Sequence, residues 1–244
     1  MRFFIVCLFF CLCMIGKSYG QLTDSKTTVP EDVPEFPLSL YKNATFGAQN
    51  LYNGRLYYIY DSREEEFQFY EARKLKKGIV YYDGQQYDSI PMMYDIVRDE
   101  LIILHANDYE NILLQSRKVK YFSIYNHNFY QLESGAEINP DMRTGFYDKI
   151  YSGKTKILVR RTKERQEKIV DKKLIVQFPF KDFYYLYKDG KYNTVRSKKS
   201  VLALFPEHKS ELRKALRTNK IKYRKERESA IVTMVTRYDE LTKQ

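Results

Sequence analysis

The chain of 244 residues is 43% hydrophobic and carries 42 basic against 31 acidic side chains, for a formal net charge of +11. That length fits one domain, or a domain with an appendage, and that apolar share can fill a sizeable core. Its three cysteines, Cys7, Cys11 and Cys13, all fall within residues 1–20, so a chain without that segment has no disulfide, thiolate metal site or cysteine nucleophile.

Residues 1–20 have the three parts of a secretory signal peptide. Arg2 supplies the positive start, Phe3 to Gly16 is uncharged and mostly apolar, and Ser18 and Gly20 put small side chains where signal peptidase reads. Cleavage is expected between Gly20 and Gln21. The apolar run falls short of the ~20 residues that a spanning helix needs. Phe10 and Leu12 precede Cys11 and Cys13, and such bulky neighbours argue against a lipid-bearing cysteine. Residues 21–48 read as a linker, because Pro30, Pro34 and Pro37 stand among polar residues and cannot donate to a ladder.

Residues 49–196 read as an antiparallel β-rich body. Leu56 to Tyr60 is dense in strand formers. Gly78 to Tyr82 and QQYDSI flank Asp83-Gly84, a strong hairpin signal because both residues tolerate positive φ. MMYDIV and ELIILH flank Arg98-Asp99, and Val119 to Ile124 and Phe129 to Leu132 flank Asn126-His127-Asn128, which predicts two more tight turns. Gly145 to Tyr151 is expected as a short helix. Lys156 to Arg165 and Lys172 to Phe178 are expected as one long hairpin around TKERQEKIVD. Phe183 to Tyr187 and Lys191 to Val195 flank a second Asp-Gly, Asp189-Gly190.

Residues 197–244 change period and read as a basic helical region packed on the body. Val201, Leu202, Leu204 and Phe205 open an amphipathic turn after Ser197, and Pro206 suits the start of a new helix. Leu212, Ala215 and Leu216 form one stripe, and Ile231, Met234, Val235, Tyr238 and Leu241 another. Two helices are expected over roughly 206–218 and 224–242. Charge splits the same way: residues 21–150 hold 14 basic and 20 acidic side chains, residues 151–244 hold 26 and 11. The fold class is therefore α+β, an antiparallel β-rich body followed by C-terminal amphipathic helices.

Three stretches, GIVYYDGQQYDSIPMMYDIVRDELIIL, VKYFSIYNHNFYQL and residues 181–241 from KDFYYLYKDGKYNTV to MVTRYDEL, carry a resemblance. The chain resembles a group of uncharacterised, signal-peptide-bearing envelope proteins widespread in Bacteroidetes. The resemblance implies an exported protein, periplasmic or associated with the outer membrane. It implies no activity, ligand or catalytic residue.

No catalytic set stands out, and no residue pattern calls for a cofactor or a metal. Ser152-Gly153-Lys154-Thr155 matches the end of a phosphate-binding loop, but Asp148 stands where that loop needs its first glycine. A turn is the plainer reading. His105, His127 and His208 are isolated from one another, with His127 expected in a turn and His208 in a helix's first turn. Asp61 and Glu64 to Glu66 read as a solvated edge. Tyr57-Tyr58, Tyr81-Tyr82 and Tyr184-Tyr185 should each place one ring on either face of a strand, one packing and the other free as a platform.

The strongest candidate is the run of cations in the helical region. Arg213, Arg217, Lys220, Lys222 and Arg224 would attract an anionic envelope protein or a lipid headgroup. Export makes nucleic acid the least favoured partner, and no transmembrane segment is expected once the leader is removed. The leading expectation is a non-enzymatic binding or accessory protein that contacts another envelope component. The alternative is a hydrolase of glycans or peptides, with a site assembled from separate carboxylates and a histidine.

Overall fold

A computed structural model describes residues 50–61, 66–135 and 139–242. The chain divides into two units, Met1–Ala44 and Thr45–Gln244, and every described residue belongs to the second. The expected leader, the Gly20–Gln21 cleavage point and the whole of the linker, residues 21–48, lie outside the described residues.

Among the described residues, thirteen strands precede the helices. They are β1 (Arg55–Leu56), β2 (Lys76–Tyr82), β3 (Gln85–Asp95), β4 (Glu100–Leu104), β5 (Asn111–Leu113), β6 (Val119–Ile124), β7 (His127–Leu132), β8 (Gly145–Ser152), β9 (Lys156–Arg160), β10 (Gln166–Val170), β11 (Lys173–Gln177), β12 (Phe183–Lys188) and β13 (Lys191–Val195). Eleven of them form one antiparallel sheet in the order β1-β5-β4-β3-β2-β6-β7-β8-β9-β12-β13, and β10 and β11 form a separate ribbon. Three helices follow: α1 (Lys198–Leu204), α2 (Lys209–Thr218) and α3 (Arg227–Leu241). The fold is α+β, as the sequence predicts.

Turn chemistry fixes the meander. Asp83 and Gly84 have φ of 50° and 87°, and Asp189 and Gly190 have 51° and 80°. Two consecutive positive φ values match the right-handed twist of the strands they join. Asp95 closes the β3–β4 turn by accepting the amides of Val97 and Arg98, both at 3.0 Å.

The first part of the sheet curls over its own inner face. Tyr94 on β3 meets Phe146 on β8 edge-on at 5.9 Å, although three strands lie between them in the sheet. Phe122 and Phe129 stack at 4.8 Å beneath the same ring. Alternation along β2, β3, β4, β6 and β7 sends Val80, Tyr82, Met92, Leu101, Ile103 and Ile124 into this core. Each such side chain contributes roughly 1.5–3 kcal/mol by leaving water.

The second part of the inner face is covered by helices. Ile157, Val159, Tyr184, Leu186 and Val195 receive Val201 and Phe205, Leu212 and Leu216 of α2, and Ile231, Met234 and Val235 of α3. The apolar residues of α2 and α3 recur at helical spacing; α2 buries one stripe and exposes its other face, while α3 is more enclosed, with only Ser229 and Glu240 exposed. Ser197 caps α1 reciprocally with Ser200. At the end of α2, Lys220 has φ 56°, while Ile221 donates to Leu216 O and Lys220 donates to Arg217 O, both at 3.0 Å. That is a left-handed cap of the kind usually made by glycine, closed by the contact of Ile221 with the helical core.

Several local expectations need correction. Gly145–Ser152 is strand β8 and not a short helix, with Phe146 facing one core and Tyr147 the other. Leu56 to Tyr60 contributes only a short strand, Arg55–Leu56. The long hairpin expected around TKERQEKIVD is two elements. β9 pairs with β8 and β12, while β10 and β11 pair with each other around Asp171 and Lys172, both at positive φ.

Candidate functional site

The β6–β7 turn is made by Tyr125 and Asn126, with φ of 52° and 63°. His127 is therefore not in the turn, as the sequence suggests, but is the first residue of β7. It lies on the same face as Phe129, whose cross-strand neighbour on β8 is Asp148. His127 Nδ1 and Asp148 Oδ2 are 2.7 Å apart. Tyr70 meets the imidazole edge-on at 5.6 Å.

Arg161, just beyond β9, ties this pair to the rest of the domain. It donates Nε and Nη2 to Asp148 Oδ2 at 3.0 and 2.7 Å. It donates Nη1 to Asp182 Oδ2 at 2.9 Å, and Nη1 and Nη2 to Glu228 at 2.5 and 3.1 Å. Every N–H of the guanidinium is thereby used. Asp182 precedes β12 and Glu228 lies in the first turn of α3, so one side chain joins a strand, a loop and a helix. The hydroxyl of Tyr184 adds a bond to Glu228 at 3.4 Å.

The electrostatics follow from that geometry. The hydrogen bond to Asp148 raises the imidazole of His127 above its ordinary value, and burial works against it. Burial opposes the charge on Arg161, but the bonds to Glu228 and the fields of Asp148 and Asp182 hold it firmly protonated. Burial raises the carboxyl of Asp182, with Arg161 opposing. Asp148 is 1% exposed, and its second oxygen, Oδ1, is buried without a hydrogen-bond partner.

A cavity of about 560 Å³ opens beside this cluster, between the β6–β7 turn, β8 and the first half of α3. Its lining includes His127, Asp148, Glu228, Ser229, Val232 and Thr233. Of the three histidines, only His127 meets a carboxylate among the described residues. His105 accepts the amide of Asn107 at 3.2 Å, and the His208 ring lies 5.6 Å from that of Tyr238.

Other buried polar groups hold the fold together. Asp239 of α3 accepts from Tyr151 Oη at 3.0 Å, from the Thr155 amide at 3.1 Å and from Thr155 Oγ1 at 2.9 Å. A Cβ on Gly153 would meet Asp239 Oδ2 at 2.3 Å, so glycine is needed for that close approach. Ser152-Gly153-Lys154-Thr155 is thus the β8–β9 turn, and it binds a carboxylate of its own chain. Lys163, 8% exposed, donates Nζ to the carbonyls of Phe67 and Phe69 at 2.8 and 2.9 Å, with the rings of Phe67 and Phe180 4.2 and 4.6 Å away. Burial pulls its ammonium down to about 8.

The acidic stretch is not a free edge where it is described. Glu66 accepts the amide of Phe178 at 2.8 Å and Asp61 is 5% exposed, while Glu64 and Glu65 lie outside the described residues. The tyrosine pairs divide. Tyr82 is in the core, and Tyr81 joins an outward ladder with Tyr121 and Tyr130 at 5.5 and 5.8 Å spacing. Tyr184 and Tyr185 face opposite sides but both are buried, so neither is a platform. Tyr58 is exposed, but Tyr57 and Tyr58 lie outside any strand.

Arg213, Arg217, Lys220, Lys222 and Arg224 are all exposed. Arg213 and Arg217 lie on α2, Lys220 is its left-handed cap, and Lys222 and Arg224 lie in the connection to α3. None of the five forms an ion pair with a described residue. Beside Arg213, a crevice of about 530 Å³ is lined by Lys198, Lys199 and Lys209 over Leu202 and Ala203.

Among the described residues, no group of three or more His, Cys, Asp or Glu is placed to hold a metal ion, and no helix is long and apolar enough to cross a membrane. In comparison with known proteins, the chain matches no family model, no curated protein and no solved structure.

Proposed function

We propose that this chain is an exported, non-enzymatic binding protein of the cell envelope, and that its basic helical end contacts an anionic envelope component. One observation carries this reading: five cations stand exposed around α2 and its C-terminal connection with no acidic partner among the described residues. The apolar side chains of the same helix, Leu212 and Leu216, are fully used in the core. The cations are therefore available to a partner, and unpaired surface charge of one sign steers and holds opposite charge. The leader-like residues 1–20 support export, which disfavours nucleic acid as the partner.

The test is to reverse three charges together, Arg213→Glu, Arg217→Glu and Lys222→Glu, leaving the buried stripe intact. Co-purification of the partner at moderate salt should be lost while the melting temperature stays within a few degrees of the parent. Unchanged recovery overturns the reading.

A second reading, a hydrolase, draws on one observation, His127 paired with Asp148 at a cavity. Against it, Asp148 and Glu228 are both tied to Arg161, whereas glycoside hydrolysis needs two carboxyl groups free to act across a bond. Turnover of a glycan or peptide substrate, abolished by His127→Ala, would favour it.

A further inference from the structure

We infer that the crevice between α1 and α2 binds the phosphate group of an anionic lipid. This rests on the reading that the basic helical end is a contact surface, and gives that surface a ligand class and a site of its own.

Four cations stand around a small apolar floor. α1 supplies Lys198 and Lys199 and, one turn on, Leu202 and Ala203, while α2 supplies Lys209 and Arg213. Residues four apart stand one above the other on a helix, so each of these pairs shares a face. Leu202 is buried, whereas Lys199, Ala203, Lys209 and Arg213 are exposed. Among the described residues, none of the four cations has an ion-pair partner.

Charge selects the sign of the ligand. No carboxylate lines the crevice. Residues 197–225 hold two acids, Glu207 and Glu211, against ten cations. Glu211 lines a different crevice, with Lys214 and Arg237. Glu207 stands outside the lining, and even with both acids set against the four cations an excess of two positive charges remains. Lys209 and Arg213 are like charges at i and i+4, an arrangement that weakens a helix and that a bound anion relieves.

The chemistry of the lining narrows the anion. A phosphate monoester carries close to two negative charges at neutral pH, and its oxygens match the planar fork of an arginine. A carboxylate brings one charge. Inorganic phosphate has the charge but nothing to lay against Leu202, Ala203 and the aliphatic stems of the lysines. A phosphate on a carbon chain uses both the rim and the floor. The volume, about 530 Å³, takes a headgroup and its first carbons and leaves the rest of the chains in the bilayer.

The experiment is isothermal titration of the full chain with hexyl phosphate, beside inorganic phosphate, hexanoate and hexanol. Flotation with phosphatidylcholine vesicles, with and without phosphatidic acid, then tells a lipid from a soluble phosphate ester. Saturable binding of hexyl phosphate is expected, with each control about tenfold weaker or more. The chain should float only with vesicles that contain phosphatidic acid. Lys209→Gln should weaken the titration about fivefold. Ala203→Glu, which sets a carboxylate on the floor from an exposed position, should abolish both signals, and Lys209→Gln covers the case in which it fails to fold. Failure of hexyl phosphate to bind at millimolar concentration, equal binding of any control, binding that survives Ala203→Glu or is unchanged in Lys209→Gln, or titration without flotation overturns the inference. Arg217→Glu with Lys222→Glu, outside the crevice, should weaken recovery of the partner and leave the titration in place, so a failure of the crevice and a failure of the partner reading are told apart.

Discussion

Replacing Lys163 with methionine should remove one component of the domain's response to alkali. Lys163 is buried, donates to the carbonyls of Phe67 and Phe69, and titrates at about 8 in place of 10.5 because burial disfavours its charge. Its folded value lies below its unfolded value, so below about 8 both states bind the proton and the folded state bears the full cost of a buried cation. Between that value and 10.5 the unfolded chain holds the proton and the folded one does not, so stability rises with pH. At about 1.4 kcal/mol for each pH unit of the gap, the gain from about pH 7 to about pH 10 is about 2–3 kcal/mol. Methionine has similar length and no proton to lose. Urea unfolding of both proteins at the two pH values measures the gain, and taking the difference cancels tyrosines and other lysines common to both. The parent should gain about 2–3 kcal/mol relative to Lys163→Met. Parallel profiles would refute the argument that burial dominates at Lys163.

Asp239→Ala strands the Thr155 amide and hydroxyl and frees Tyr151, and should cost about 3–5 kcal/mol in urea unfolding. Thr155→Val should cost less on its own and be strongly non-additive with Asp239→Ala, as residues in one network are. Lys220→Gly relieves a left-handed residue and should raise stability by about 1 kcal/mol while weakening partner binding, which separates charge from folding at that site. The imidazole of His127 should titrate above its ordinary 6.5 by NMR, and the stability it contributes is present below that value and lost as pH rises through the folded one. Stability that is as steep in pH with His127→Gln as with histidine would contradict this.

Turn chemistry made much of the sheet legible. Asp83-Gly84 and Asp189-Gly190 announce hairpins because aspartate and glycine reach positive φ cheaply, and both hairpins are present. The β10–β11 turn gave no such signal, because Asp171-Lys172 puts a lysine where glycine is expected, and the β6–β7 turn was expected one residue late, because Tyr125-Asn126 puts a tyrosine in the position that aspartate holds in the other two. That single-residue offset is why His127 looked like a turn residue. β8 misled for another reason. Phe146, Tyr147, Ile150 and Tyr151 fall at helical spacing, and Asp148 interrupts the alternation because it is a buried charge facing inward. The irregular register between Lys149 and Tyr151 blurs the strand period further.

The two candidate surfaces differ in the same way. The cations of α2 are neighbours in sequence, so their cluster shows in the chain itself. Asp148, Arg161, Asp182 and Glu228 come from separate segments and meet only because β8, β9 and β12 are neighbours in the sheet and α3 packs across them. No local pattern marks them. The one available hint was Asp148 itself, a charge within a run of aromatic and aliphatic residues.

The most direct measurement of the central claim is photocrosslinking in intact cells. A photoreactive residue at Thr218, exposed on α2 beside Arg217, is compared with one at Tyr109, 89% exposed in the β4–β5 turn. The account predicts an adduct with an anionic envelope component from Thr218, none from Tyr109, and loss of the adduct in the triple charge-reversal variant. Equal adducts from both positions, or an adduct that persists after charge reversal, would contradict it.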